Sequence, residues 1–197
     1  MQTLVSSPTT EQEAAALPLW LATEQDYEGL LATLPPGAAT WARAQAFAGE
    51  RQRTLAVPAP DGSTGGALLG LGALGASDQL CLWDAAALPE RLPAGTYRLA
   101  TPLAAPAATQ FALGWLLGTY RLTGYRGTSA RAPTANALIA PPGADLRYAH
   151  ATAQAIGFAR DLINAPANEL GPEPADGLAN AFGSDTPSWA WAWASCC

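Results

Sequence analysis

The stretch Gly65-Gly-Ala-Leu-Leu-Gly-Leu-Gly72 decides how this chain is read. Taken as a strand, it pairs back onto Arg53-Thr-Leu-Ala-Val-Pro58 across the turn signal Asp61-Gly62, forming a hairpin. Extended to Gly75, it also satisfies G-x-G-x-x-G, the glycine spacing of a phosphate loop. Such a loop needs a helix opening on its glycines and a carboxylate about twenty residues on for the ribose. The next residues are Ala76-Ser77-Asp78 and a weakly helical run from Gln79 to Leu88, and Asp84 and Glu90 come too early for the ribose. The strand reading prevails. Ligand binding by the Gly62–Gly75 loop stays as a minor alternative.

Working outward, Leu17 to Ala22 is a short apolar run that reads as a buried strand. Glu24 to Leu34 comes next, with acids at its start and Leu30, Leu31 and Leu34 at helical spacing. Pro35-Pro36-Gly37 should break that helix, and Thr40 to Phe47 should form a second one. Past the hairpin, Gly95 to Ala100 is a strand candidate. Pro106 to Tyr120 is the strongest helix, with Phe111, Trp115 and Tyr120 beside Leu113, Leu116 and Leu117. Gly114 and Gly118, one turn apart, would admit a close neighbour. Asn136 to Ala140 reads as a strand and Asp145 to Ile163 as a long helix. Met1 to Ala16 reads as a loose lead-in. Strands alternating with helices predict an α/β layered domain over residues 17–140.

The chain has 197 residues, and its charged fraction of 13% is well below the roughly 25% usual for soluble domains. All ten basic residues are Arg and the net charge is −6. Scattered Arg on an acidic chain gives neither the clustered basic face nucleic acid requires nor the polybasic stretch that holds a protein to an anionic membrane. No apolar run approaches the roughly 20 residues that span a bilayer. Cys81, Cys196 and Cys197 define no disulfide framework, and no signal peptide is readable, so a cytoplasmic setting is expected.

Candidate chemistry is sparse. His150, the one histidine, falls on the long predicted helix and reads as a surface residue. No G-x-S-x-G elbow supports a hydrolase triad, and one His without a Cys cluster makes no usual zinc site. Glu11, Glu13, Glu24, Asp26 and Glu28 read as a solvated acidic front. Cys81 lies in Leu80-Cys-Leu-Trp83 with nothing cationic near in sequence, and reads as a buried, inert thiol.

The specific signal comes late. Arg160-Asp-Leu-Ile-Asn-Ala-Pro-Ala-Asn-Glu-Leu-Gly-Pro172 ends a helix, bends at Pro166 and sets a new start at Gly171-Pro172. This segment resembles the interdomain junction of the leucyl aminopeptidase (cytosol aminopeptidase) family. The block Phe111 to Arg121, with Leu122-Thr-Gly-Tyr125, is similar to that family's Gly-rich helix and the Tyr-bearing stretch after it. The resemblance covers residues 95–183 and stops at Gly183. It implies a macrodomain-like N-terminal α/β domain with a mixed sheet between helices, here residues 1–140. Residues 141–183 would be the interdomain helix and the first helices of a truncated catalytic domain. Ser184 to Cys197, SDTPSWAWAWASCC, matches neither and is expected to be a frameshifted tail, the alternative being a Trp-bearing segment that docks on a partner.

The family also implies an exopeptidase acting on N-terminal residues of peptides, two divalent metal ions (zinc or manganese), and a homo-hexamer. Its metals are held by one Lys and several Asp and Glu residues, many in an Asn-Thr-Asp-Ala-Glu-Gly-Arg-Leu motif. This chain has no Lys and no such motif. No catalytic, cofactor-binding or metal-binding residue is therefore assigned to it, and the fragment is expected to be inactive. The alternative is a free-standing interaction or oligomerisation module without enzymatic activity.

Overall fold

A computed structural model of the chain describes residues 4–120 and 136–164. Six strands form one sheet: β1 (Leu4–Val5), β2 (Leu17–Thr23), β3 (Thr54–Pro58), β4 (Thr64–Gly72), β5 (Thr96–Leu99) and β6 (Ala137–Ile139). The helices are α1 (Thr10–Ala15), α2 (Tyr27–Thr33), α3 (Pro36–Ala44), α4 (Leu82–Ala86), α5 (Leu88–Arg91), α6 (Ala105–Gly118) and α7 (Leu146–Asn164). The sheet order is β1-β6-β5-β2-β4-β3. All pairs are parallel except β3–β4, so the sheet is mixed with one antiparallel edge. The chain divides into two compact units, Met1–Gly157 and Phe158–Cys197. The second is described only over residues 158–164, the end of α7.

Strand alternation sends side chains to two cores. Leu19 and Leu21 of β2, Ala67, Leu69 and Leu71 of β4, Tyr97 of β5 and Leu138 of β6 meet Phe111, Trp115 and Leu117 of α6. Ala22 and Leu68 emerge on the other face against Tyr27, Leu31, Ala38, Ala39 and Ala42 of α2 and α3. The sheet thus lies between two helical layers, as the sequence predicts. Helix α6 is buried almost all round, from Ala107 through Leu117, which is why its pattern is a broad apolar band and not a narrow stripe. Tyr97 and Trp115 pack tilted, with centroids 6.4 Å apart.

The two helical glycines have the role their spacing suggests. A methyl group at Gly114 would overlap the Leu82 carbonyl oxygen, and one at Gly118 the Ala86 carbonyl oxygen. Helix α6 therefore rides directly on the backbone of α4. On the sheet side, the Asn136 amide, 3% exposed, donates to the carbonyls of Pro89 and Leu92 at 3.0 and 3.1 Å and accepts from the Gly95 amide at 2.9 Å. It fastens the start of β5 and the end of α5 to β6. A buried amide with three partners is strongly specifying because each partner would otherwise be orphaned.

The departures from expectation lie at element starts. Pro36 opens α3 where Pro35-Pro36-Gly37 reads as a break, because proline has no amide to lose in the first turn. Helix α2 begins only at Tyr27, since Thr23 and Asp26 form a local turn: the Thr23 hydroxyl accepts from the Asp26 amide at 3.0 Å. The lead-in contains β1 and α1. Helix α1 rests on a capping box in which Thr9 and Gln12 exchange hydrogen bonds of 2.9 and 3.2 Å. It buries no side chain, so no apolar periodicity announced it. Tyr120 to Tyr125 and the junction beyond Asn164 lie mostly outside the described residues, as does the tail.

Gly114→Ala should destabilise the chain by about 1–3 kcal/mol through overpacking against α4. Helix propensity alone would favour the alanine by about 1 kcal/mol, so urea unfolding separates the two by sign. A second test uses Tyr97, whose phenol burial pushes up to about 12. The folded state holds that proton more tightly, so its contribution is intact below pH of about 10 and fades as pH rises towards 12, by up to roughly 2–3 kcal/mol. The chain has no Lys to titrate in the same window. Urea stability measured from pH 9 to 12 should fall in the parent and markedly less in Tyr97→Phe. An equal fall in both would contradict the assignment.

Candidate functional site

The glycine string at the end of β4 is closed by its own chain. The Gly70 amide donates to the Arg53 carbonyl at 2.8 Å, and the Gly72 amide to the Gly49 carbonyl at 2.7 Å. The Gly75 amide donates to Gln79 Oε1 at 3.0 Å. All three amides that a phosphate would need are already bonded. A methyl group at Gly70 would overlap the Glu50 carbonyl oxygen, and Gly72 sits at φ +73° with Arg51 against it. The glycines therefore serve a close backbone approach between β4 and the loop 45–53. No α-helix opens on them; a single 3-10 turn, Ser77–Gln79, comes next.

That loop carries most of the charged geometry. Its backbone reaches positive φ at Ala46 (48°), Gly49 (83°) and Gln52 (59°). Arg53 donates to the carbonyls of Gln45 and Ala46 and to Glu50, and lies 5.7 Å from the Phe47 ring centroid. Hydrogen bonds from the Ala48 amide and the Arg53 side chain hold the Glu50 carboxyl below the usual carboxylate range. Arg51 points the other way. Its Nε donates to Asp84 Oδ1 at 3.0 Å, while Asp84 Oδ2 accepts from the Cys81 amide at 2.9 Å. Asp84 is 1% exposed. It caps α4 and is the buried charge that ties the loop to the α4–α6 layer.

Cys81 is less buried than the thiol expected of it, and a cation lies beside it. It is half-buried, and an Arg51 Nη2 proton is donated toward its Sγ at 3.6 Å. The cation lies thirty residues away in sequence, which is why the local apolar run gave no hint of it. His150 is exposed on α7. Glu11 and Glu13 lie on α1, Asp26 turns onto the Thr23 hydroxyl at 3.2 Å, and Glu28 faces Arg43 at 3.8 Å. Among the described residues, no three His, Cys, Asp or Glu side chains come together to hold a metal ion. The described residues do not fit a two-metal centre, which needs several converging carboxylates.

Among the described residues, an open groove of about 560 Å³ is lined by α1, the ends of β5 and β6 and the segment after β6. Its lining includes Glu13 of α1, Arg98 and Leu99 of β5, and Ile139 and Pro141. Arg98 alternates with Tyr97 along β5, so it leaves the sheet on the face away from α6. Sequence reasoning did not find this site. Its two charges are far apart along the chain, and only the parallel crossover through α1 brings them to one opening.

The described residues thus build a scaffold, a clamped loop and a groove. None of the helices among the described residues is long and apolar enough to cross a membrane. Comparison with known proteins agrees with the fold. The profile of the M17 aminopeptidase N-terminal domain matches residues 17–140. A probable cytosol aminopeptidase of Rhizobium meliloti (strain 1021) is 33% identical over 182 residues, covering 80% of this chain and 36% of the relative. The solved cytosol aminopeptidase from Coxiella burnetii aligns with a TM-score of 0.70 at 22% identity, over 87% of this chain and 35% of that one. The bottromycin maturation enzyme BotP in complex with Mn aligns at 0.56 with 24% identity, over 85% and 36%. This chain spans little more than a third of the length of these relatives. The family match over residues 17–140, on a sheet of the order described, places the chain in the M17 aminopeptidase family, through that family's N-terminal domain.

Proposed function

We propose that this chain is an N-terminal part of a metal-dependent leucyl aminopeptidase and has no peptidase activity by itself. The match of residues 17–140 to the M17 N-terminal domain carries the reading. The Arg160 to Pro172 junction supports it from the sequence side. In this reading residues 1–140 are the N-terminal domain, 141–183 the interdomain helix and the first helices of the catalytic domain, and 184–197 a frameshifted tail. The parent enzyme would remove N-terminal residues from peptides in the cytoplasm as a homo-hexamer, using two zinc or manganese ions.

The chain's own residues would supply none of that centre. It contains no Lys and no Asn-Thr-Asp-Ala-Glu-Gly-Arg-Leu motif. What it would contribute is the N-terminal α/β domain. The acidic, Lys-free composition weighs against a role on nucleic acid. Helix α7, nineteen residues long with only Ala149 buried, is what a helix would look like when most of its partners belong to another part of the protein.

The purified chain, supplied with Zn²⁺ or Mn²⁺, should release nothing above the blank from leucine p-nitroanilide. Metal-dependent turnover abolished by a chelator would overturn the inactivity. Size-exclusion chromatography tests the tail: deleting 184–197 should leave the oligomeric state unchanged. Loss of a defined oligomer on that deletion would favour the free-standing interaction module instead.

A further inference from the structure

We infer that Trp41 guards the open edge of the sheet, keeping β3 from pairing antiparallel with β3 of a second copy. Strand β3 ends the sheet order among the described residues, so one of its sides faces no neighbouring strand. Such an edge is a template for another chain unless something blocks it. Its antiparallel partner, β4, fixes which backbone groups face outward. Gly70 exchanges bonds with Gln52 and Arg53, at 2.8 Å each. From there the register sets Thr54 opposite Leu69, Leu55 opposite Leu68, Ala56 opposite Ala67 and Val57 opposite Gly66. Bonded and non-bonded pairs alternate along an antiparallel ladder. Leu55 and Val57 therefore bond to β4, while Thr54 and Ala56 turn their amides and carbonyls away from it.

The outward Ala56 carbonyl is where Trp41 acts. Leu55 and Val57 lie against the α2–α3 layer, and Ala38, Ala39 and Ala42 seat α3 on it. Trp41, 37% exposed, reaches from α3 to the edge, and its indole Nε1 donates to the Ala56 carbonyl at 3.1 Å. A helix side chain thus takes the acceptor that an added strand would use. Two copies of β3 related by a two-fold axis would meet with Ala56 opposite Ala56, each carbonyl accepting from the other's amide. The Trp41 bond removes that acceptor in both copies at once. In the same pairing Pro58 would face Thr54, and it has no amide to donate to the Thr54 carbonyl. Thr54–Pro58 carries no charged side chain that would repel a second copy. Closing the edge therefore falls to the Trp41 bond, with Pro58 as a second obstacle.

The test is sedimentation velocity of the full chain over a concentration series. Trp41→Phe keeps an aromatic ring on α3 and removes the N–H; Trp41→Ala removes the cover as well. In Trp41→Phe, self-association should set in at about tenfold lower concentration than in the parent, since each of two freed carbonyls adds one hydrogen bond to the pair. Trp41→Ala should lower it further. Adding Ala56→Pro to either should restore the parent's behaviour, because the Ala56 amide faces outward and serves no bond to β4. Unchanged association in a Trp41→Phe chain with the parent's circular dichroism would overturn the inference. So would association that survives Ala56→Pro, which would then arise from exposed apolar surface and not from the edge. Hydrogen exchange in the parent adds a check that needs no variant. The amides of Leu55 and Val57 should be protected, and that of Ala56 should exchange rapidly. Protection at Ala56 equal to theirs would show an edge already paired and would overturn the guarding role.

Discussion

The structure depends on one close approach, that of the loop 45–53 to the last residues of β4. Parallel strands end where their connections must turn away, and there a sheet usually leaves backbone groups free for a ligand. Here the free groups are used internally. Gly70 and Gly72 remove the side chains that would hold the loop off, and the amides of Gly70, Gly72 and Gln52 then bond across the gap at 2.7–2.8 Å. The Glu24 amide adds a bond to the Gly72 carbonyl at 2.9 Å, which brings the end of β2 into the same junction. Left-handed backbone at Ala46 and Gln52 is a strain that the surrounding contacts must hold in place.

From that junction the two layers are set. Arg53 turns back to the α3 end and stiffens the loop against Phe47. Arg51 turns to the opposite layer and meets the buried Asp84. Arg91 adds a bond to the Gln52 carbonyl at 2.6 Å. Three arginines thus link one loop to helices on both faces of the sheet. The polar chemistry of this region goes into holding a shape.

Much of this was legible beforehand. The apolar runs of β2 and β4, the Asp61-Gly62 turn and the wide apolar band of α6 are local signals, and each became the expected element. The glycine pair on α6 also revealed its purpose through spacing alone. Less legible was whatever depends on distance along the chain. Arg51 beside Cys81 and Asp84, and Arg98 and Glu13 in the lining of one groove, are brought together by the fold and not by motif. Helix α1 escaped notice because a capping box and not an apolar face sustains it. Family kinship was legible through the resemblance of Arg160 to Pro172, and of Phe111 to Tyr125, to the family's own segments.

The most direct test is native-state hydrogen exchange at the amides of Gly70 and Gly72. If the loop clamps β4 as described, both should exchange only through global unfolding, and added NAD⁺ or ADP-ribose should leave their rates unchanged. Rapid exchange at either amide, or new protection on adding a dinucleotide, would show that the junction opens to a ligand and would contradict this account.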